Sequence, residues 1–326
     1  MTDFPAPRRI AANGITLSVH LAGPEDGPPL LLVHGWPELA YSWRNQIGPL
    51  ADAGYRVIIP DLRGFGASDC PADPDAYDID TLVGDLTGLL DALGHEQAVF
   101  IGHDWGGIIV WHAAMLAPER VAGVIGVNTP HLPRGSEPPT KAFRELGGED
   151  HYIIRFQEPG YAERRFEGRE ADFFAFMFAA PPPARHLERY FPQITHIPAQ
   201  FEAFEGRPED RIVVPAADRK VYEDAYRDTG FAPGINLYRN FDANWQRMGG
   251  VDHRLAMPCL MVSAECDFML PPSLTRWMPA LCRDVEFHTI EACGHWTMWE
   301  KPEILNNHMR DWLARRFPVR GKGQDG

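Results

Sequence analysis

The segment from Val99 to Val110 reads Val-Phe-Ile-Gly-His-Asp-Trp-Gly-Gly-Ile-Ile-Val, with Asp104 flanked by Gly102 and Gly106. A strand-like run enters it and an apolar helical run leaves it. This is the pattern of a nucleophile elbow, G-x-Nu-x-G, with an aspartate in the central place. Glycines are needed there because the strained turn has no room for Cβ atoms. The turn lifts the central side chain above the sheet and opens a helix N-terminus, whose free N–H groups can hold an anion. Two further groups fit covalent catalysis. His295 lies in Gly294-His295-Trp296 after the last strand-like run, and Asp267 follows the preceding run. The chain order is then nucleophile, acid, histidine, as a triad on this kind of sheet requires. Glu265, two residues away, fits the acid's spacing as well. His34-Gly35-Trp36-Pro37 follows another buried run, where such a sheet builds the second half of an oxyanion hole from a backbone N–H.

These residues need a rigid frame, and the rest of the chain supplies its signs. Strand-like runs lie at Ile15–Leu21, Leu30–Val33, Val57–Ile59, Ala98–Ile101 and Val121–Val127, and return at Cys259–Val262 and Val285–Ile290. Continuous apolar runs without alternation suit strands buried on both faces, as in a parallel sheet. Between two of them, Thr81–Leu93 has leucines at helical spacing, with Asp80 placed to cap its start and Gly94 its end. Alternation of this kind predicts an α/β fold with an open, mostly parallel sheet and helices on both faces. The rhythm breaks at Pro130. Residues 130–244 carry few strand signals, many aromatics and Pro-rich punctuation, and predict an inserted helical cap domain. Residues 1–129 and 245–326 then form one core domain, closed by a helix from Pro302 with Ile304, Leu305, His308, Met309, Trp312 and Leu313 on its inner side. The tail Gly321–Gly326 is expected to be disordered.

Composition removes several classes of function. The 326 residues include 31 Lys and Arg against 45 Asp and Glu, a formal net charge of −14, which disfavours a nucleic-acid partner. Five cysteines without C-x-x-C spacing give no basis for a thiolate zinc site or a disulfide scaffold. There is no apolar leader and no run long enough to span a membrane, so a cytoplasmic location is expected.

The chain resembles the α/β-hydrolase-fold epoxide hydrolases of the soluble type over nearly its whole length. The resemblance is carried by His34–Glu38 (HGWPE), Tyr41–Arg44, Asp61–Asp69 (DLRGFGASD), Gly102–Gly107, Ala264–Leu270 and Cys293–Thr297. In the insertion it continues through Phe156–Gly160 (FQEPG) and Asn236–Trp245 (NLYRNFDANW), which say more, because related hydrolases share the core and differ in the cap. The resemblance implies Asp104 as nucleophile, Asp267 as the acid that orients His295, a cis bond before Pro37, and Tyr152 and Tyr238 as phenols that donate to the epoxide oxygen. It also implies an oxyanion hole from the backbone N–H groups of Trp36 and Trp105. Trp105, Phe173, Phe176 and Met177 are candidate substrate-binding residues, although cap-to-core packing is the favoured reading of the Phe173–Phe178 stretch. No metal or organic cofactor is called for. The expected partners are a small hydrophobic epoxide and water, with a monomer or homodimer both open. The alternatives are a haloalkane dehalogenase using the same aspartate, or a catalytically silent ligand-binding protein.

Overall fold

The computed structural model describes residues 4–181 and 195–319, so the 321–326 tail lies outside the described residues. Eight strands form one sheet: β1 (Arg8–Ala12), β2 (Ile15–Ala22), β3 (Pro29–Val33), β4 (Arg56–Pro60), β5 (Ala98–His103), β6 (Val121–Val127), β7 (Leu255–Ala264) and β8 (Cys282–Ile290). Their order is β1-β2-β4-β3-β5-β6-β7-β8. β1 and β2 join antiparallel, and β4 to β8 pair parallel through β3, with Leu32 opposite Ile101 and Ile101 opposite Ile125. The apolar runs are strands because both faces are covered. Along β3, Leu31 and Val33 enter one core layer while Leu30 and Leu32 enter the other, as a two-residue side-chain period demands.

Three helices matter for the site: α1 (Arg44–Asp52), α2 (Ile79–Leu93) and α3 (Trp105–Leu116). The N-cap of α2 is Asp78, whose side chain accepts from the Thr81 N–H, and not Asp80 as the sequence suggests. Gly94 takes the left-handed conformation expected of a C-cap. The C-terminal helix, Pro302–Arg316, buries Leu305, Met309, Trp312 and Leu313 as expected, but Ile304 points outward at 43% exposure and Asn306 turns inward instead. Asn306 Nδ2 donates to the Asn45 carbonyl at 2.8 Å.

Between β6 and β7 the described residues are helical, in short segments from Pro139–Gly147 to Phe241–Arg247, with a lone bridge between Ala179 and Ile212. Aromatic packing holds this insertion together. Phe166, Phe173, Phe201 and Phe231 are fully buried with ring centroids 4.7–5.7 Å apart, mostly edge-to-face. It is tied to the sheet through Tyr226, whose hydroxyl donates to the Glu38 carbonyl, and Asn244, which accepts from the Ile79 N–H at 2.9 Å.

Candidate active site

Parallel strands deliver their C-terminal ends to one edge of the sheet. Trp36 follows β3, Asp104 follows β5, Asn128 follows β6, Asp267 follows β7 and His295 follows β8, so residues far apart in sequence share one place. At the end of β5 the backbone turns sharply, and Asp104 has φ 51° and ψ −121°. A non-glycine residue at positive φ stores strain, which is repaid here by what surrounds it. A Cβ on Gly102 would fall on the Gly106 carbonyl, and one on Gly106 would fall on the Val33 carbonyl. The turn therefore closes only with glycine at both places. Thr129 Oγ1 donates to the Asp104 carbonyl at 2.9 Å and pins it.

The two carboxylate oxygens of Asp104 have different surroundings. Oδ1 accepts from the Trp36 backbone N–H at 2.8 Å, just before the cis Trp36-Pro37 bond, while Oδ2 lies 3.6 Å from His295 Nε2. His295 Nδ1 is 2.8 Å from Asp267 Oδ2. Since a carboxylate only accepts, that nitrogen carries a proton and Nε2 faces Asp104. Asp267 is fully buried and also accepts from the Met269 and Leu270 N–H groups and from Asn128 Nδ2 at 2.7–3.0 Å. Glu265 is elsewhere: its carboxylate accepts the Ala292 N–H.

Charge decides the protonation states. Burial alone would lift the Asp104 and Asp267 carboxyls, but hydrogen bonds and the charge of His295 hold both below the ordinary range. Burial alone would depress His295, yet the Asp267 and Asp104 carboxylates raise it well above an ordinary imidazole. The resting site is thus an imidazolium between two carboxylates.

Opposite Asp104, Tyr152 and Tyr238 come together from two helices of the insertion, their rings 5.6 Å apart and nearly perpendicular. Burial, and then neighbouring charge including Asp104, push both phenols up, so they remain protonated donors. The two cap segments of the resemblance hold them. Gln157 Nε2 donates to the Ile153 and Tyr238 carbonyls, and Arg239 Nε donates to the Phe156 carbonyl, all at 2.9–3.0 Å. Trp36 and Trp105 stand edge-on to Tyr238 at 5.5 and 5.1 Å.

One cavity of about 700 Å³ is lined by Asp104, His295, Tyr152, Tyr238, Trp36 and Trp105 together. Phe176 and Met177 also face it. Phe173 does not. It lies a turn earlier on the same helix, where Phe166 and Phe231 close over it at 4.7 Å, so the substrate-contact assignment for Phe173 is corrected to packing.

Sequence reasoning gave no role to Glu38, His103 or Asn128. Glu38 Oε2 accepts from the Gly35 N–H at 2.6 Å and meets His103 Nδ1 at 2.9 Å, while His103 Nε2 reaches the His295 carbonyl at 2.8 Å. This buried bridge links the loop after β3, the elbow and the histidine loop. The signal was available: a Glu and a His inside otherwise apolar, buried stretches need partners. Among the described residues, no cluster of three His, Cys, Asp or Glu side chains is arranged to hold a metal, and no helix is long and apolar enough to cross a membrane.

Known proteins resemble this chain over nearly its whole length. The alpha/beta hydrolase fold family matches residues 28–302. Epoxide hydrolase A of Mycobacterium tuberculosis is 39% identical over 317 residues, covering 95% of this chain and 98% of that one. The mouse (Mus musculus) bifunctional epoxide hydrolase 2 is 36% identical over 330 residues, 96% of this chain but 58% of the mouse protein. The crystal structure of epoxide hydrolase A from Mycobacterium thermoresistibile superposes with a TM-score of 0.85 at 37% identity, over 97% of this chain and 99% of that one.

Proposed function

The chain belongs to the alpha/beta hydrolase family, in its epoxide hydrolase branch, and from that premise we propose that it converts epoxides to vicinal diols through an ester on Asp104. The observation that carries the proposal is the single cavity lined at once by a carboxylate nucleophile, a histidine–aspartate pair and two protonated phenols. An epoxide presents sp³ carbons, which must be attacked from the side opposite the departing oxygen. A carboxylate can do this without first losing a proton, and Asp104 attacks with Oδ2, 3.6 Å from His295 Nε2, while Oδ1 stays bonded to the Trp36 N–H. The departing alkoxide needs a donor, and Tyr152 and Tyr238 supply it. Acid assistance of this kind contributes typically about 10²–10⁴ in rate.

Ester formation then changes His295. Alkylation removes the negative charge of Asp104, one of two anions that hold the imidazolium protonated, so the ring releases its proton to solvent while the phenolate left by ring opening regains one, and His295 becomes a competent base as the ester forms. His295, oriented by Asp267, takes a proton from water, and the water attacks the Asp104 carbonyl carbon. The oxyanion forms on Oδ1, where the Trp36 N–H already points, with the Trp105 N–H at the start of α3 as its second donor. The diol leaves and the carboxylate returns. In this reading residues 130–244 act as a cap that carries the acid and excludes bulk water.

The test is product analysis with the purified protein on styrene oxide, stilbene oxides and fatty-acid epoxides, beside matched haloalkanes. Diol formation from at least one epoxide, with no comparable halide release, is expected. Halide release that outpaces epoxide opening would overturn the proposal in favour of dehalogenation, which has no use for the phenols.

A further inference from the structure

The cavity does not end at the triad. It continues along α3 to a wall that includes His112, His131 and His253, none of which enters the mechanism above. His112 is eight residues past Asp104, so a helical rise of ~1.5 Å per residue sets it roughly 12 Å farther along the axis. Three imidazoles stand there beside the apolar Trp111, Met115, Leu132, Pro133 and Met248 and the cation Arg134.

Their hydrogen bonds fix what each ring offers. His112 Nδ1 meets the Ile108 carbonyl at 2.7 Å, so Nδ1 carries the proton and Nε2 is a bare acceptor. His131 Nε2 meets the His253 carbonyl at 2.7 Å, which leaves its Nδ1 as a bare acceptor. Both ring nitrogens of His253 are buried without a hydrogen-bond partner, and at least one of them carries a hydrogen to donate. The neighbouring Trp111 cannot serve them, because its N–H is spent on the Thr129 carbonyl. Burial pushes His112 and His131 down to about 4, so both rings are neutral at physiological pH. The wall therefore presents two uncharged acceptors, His112 Nε2 and His131 Nδ1, beside the unpaired ring of His253, whose burial is not offset by a bond.

We propose that this arm is a hydroxyl-binding subsite, and that the chain prefers epoxides whose longer substituent carries an alcohol reaching the His112–His131–His253 wall. The inference rests on the epoxide-opening reading and adds a substrate class to it. An alcohol satisfies the set because it donates to an imidazole acceptor and accepts from the His253 N–H. An ether cannot donate. A carboxylate would bring lone pairs against lone pairs, and an ammonium would find no anion among these rings. Arg134, the nearby cation of the same wall, is already engaged, stacked 3.7 Å over Trp245 and donating to its carbonyl.

The experiment compares kcat/KM for four terminal epoxides with one alkyl chain length, ending in methyl, hydroxyl, methoxy or carboxylate, and repeats it at several lengths. One hydrogen bond gained gives the hydroxyl substrate an advantage of about three- to tenfold over the methyl one at the best length. His112→Phe and His253→Phe keep a ring of similar size without the nitrogens, and each should bring that ratio towards one, while the methyl substrate reports intact folding. A hydroxyl advantage that is absent in the wild type, that survives in both variants, or that is exceeded by the carboxylate substrate would overturn the proposal. If no epoxide at all is opened, it is the reading of function that has failed. Calorimetric binding of an α,ω-alkanediol and of the matching n-alkanol then decides the subsite by itself: tighter diol binding lost in His253→Phe supports it, and equal binding overturns it.

Discussion

The two walls of the catalytic cavity are built on different physics. The sheet side holds charged groups, and it holds them with hydrogen bonds: Asp267 accepts four, and Asp104 is fixed by a glycine-bounded turn and the Trp36 N–H. The cap side holds neutral phenols, and it holds them with rings: Tyr238 has edge-on aromatic neighbours in Trp36, Trp105, Tyr152, Phe156 and Phe241. A buried charge must be met at every lone pair, so its site tolerates little change. A protonated phenol needs only position. Damage to the sheet side should therefore abolish a step, whereas damage to the cap side should grade the rate.

The largest expected effect comes from His295→Gln. Ring opening persists, ester hydrolysis stalls, and intact mass after adding epoxide shows the protein plus one substrate. Loss of ring opening together with the adduct would erase the division of labour between the two walls. Next in size, the double change Tyr152→Phe and Tyr238→Phe should lower the ring-opening rate by about 10²–10⁴, while each single change costs less because one donor remains. A double variant as fast as the wild type would leave the cap with no acid.

The pH dependence sharpens the contrast further. Asp104 stays ionised to below the ordinary carboxylate range, so alkylation should be nearly unchanged on moderate acidification. Hydrolysis needs neutral His295, whose imidazolium is stabilised in the folded site by Asp267, so hydrolysis should fall as pH drops, by tenfold per unit once the ring is protonated. Rapid-quench mass spectrometry should find more alkyl-enzyme at acid pH. If both steps titrated together, one shared group would have to govern them. The smallest effect is expected from Gln157→Ala, which removes the donor to the Ile153 and Tyr238 carbonyls. Roughly a two- to tenfold loss in ring opening, with ester hydrolysis unchanged, would mark it as a positioning residue, since only the two neutral hydrogen bonds of one amide are lost.

The same contrast explains what could be read from the sequence. Asp104, Asp267 and His295 sit in short turns at strand ends, where chemistry and backbone geometry together restrict residue types, and those turns are visible in one dimension. Tyr152 and Tyr238 are 86 residues apart (238 − 152) on separate short helices, and no spacing rule connects them; only the resemblance did. The Glu38–His103 bridge spans 65 residues and joins two loops that only the folded sheet brings together. Strand β1 escaped notice because Arg8-Arg9-Ile10-Ala11-Ala12 is an edge strand with its charges outward, and so lacks the apolar run that marks the central strands. The cap of α2 was misplaced by two residues because Asp78 and Asp80 are both able to cap, and only the bond to Thr81 N–H distinguishes them. Phe173 shares a helix with Phe176 and Met177, so periodicity could not tell which turn the cavity reaches.

The covalent ester on Asp104 is the central claim, and a single turnover in ¹⁸O-water with enzyme in excess tests it most directly. If Asp104 attacks, the oxygen added to the first diol comes from its own carboxylate and carries no label. Solvent oxygen enters Asp104 instead, and peptide mass spectrometry finds it there, with labelled diol only in later turnovers. Direct attack of water activated by His295 would label the first diol almost completely and leave Asp104 unlabelled, and that result would contradict the nucleophile assignment.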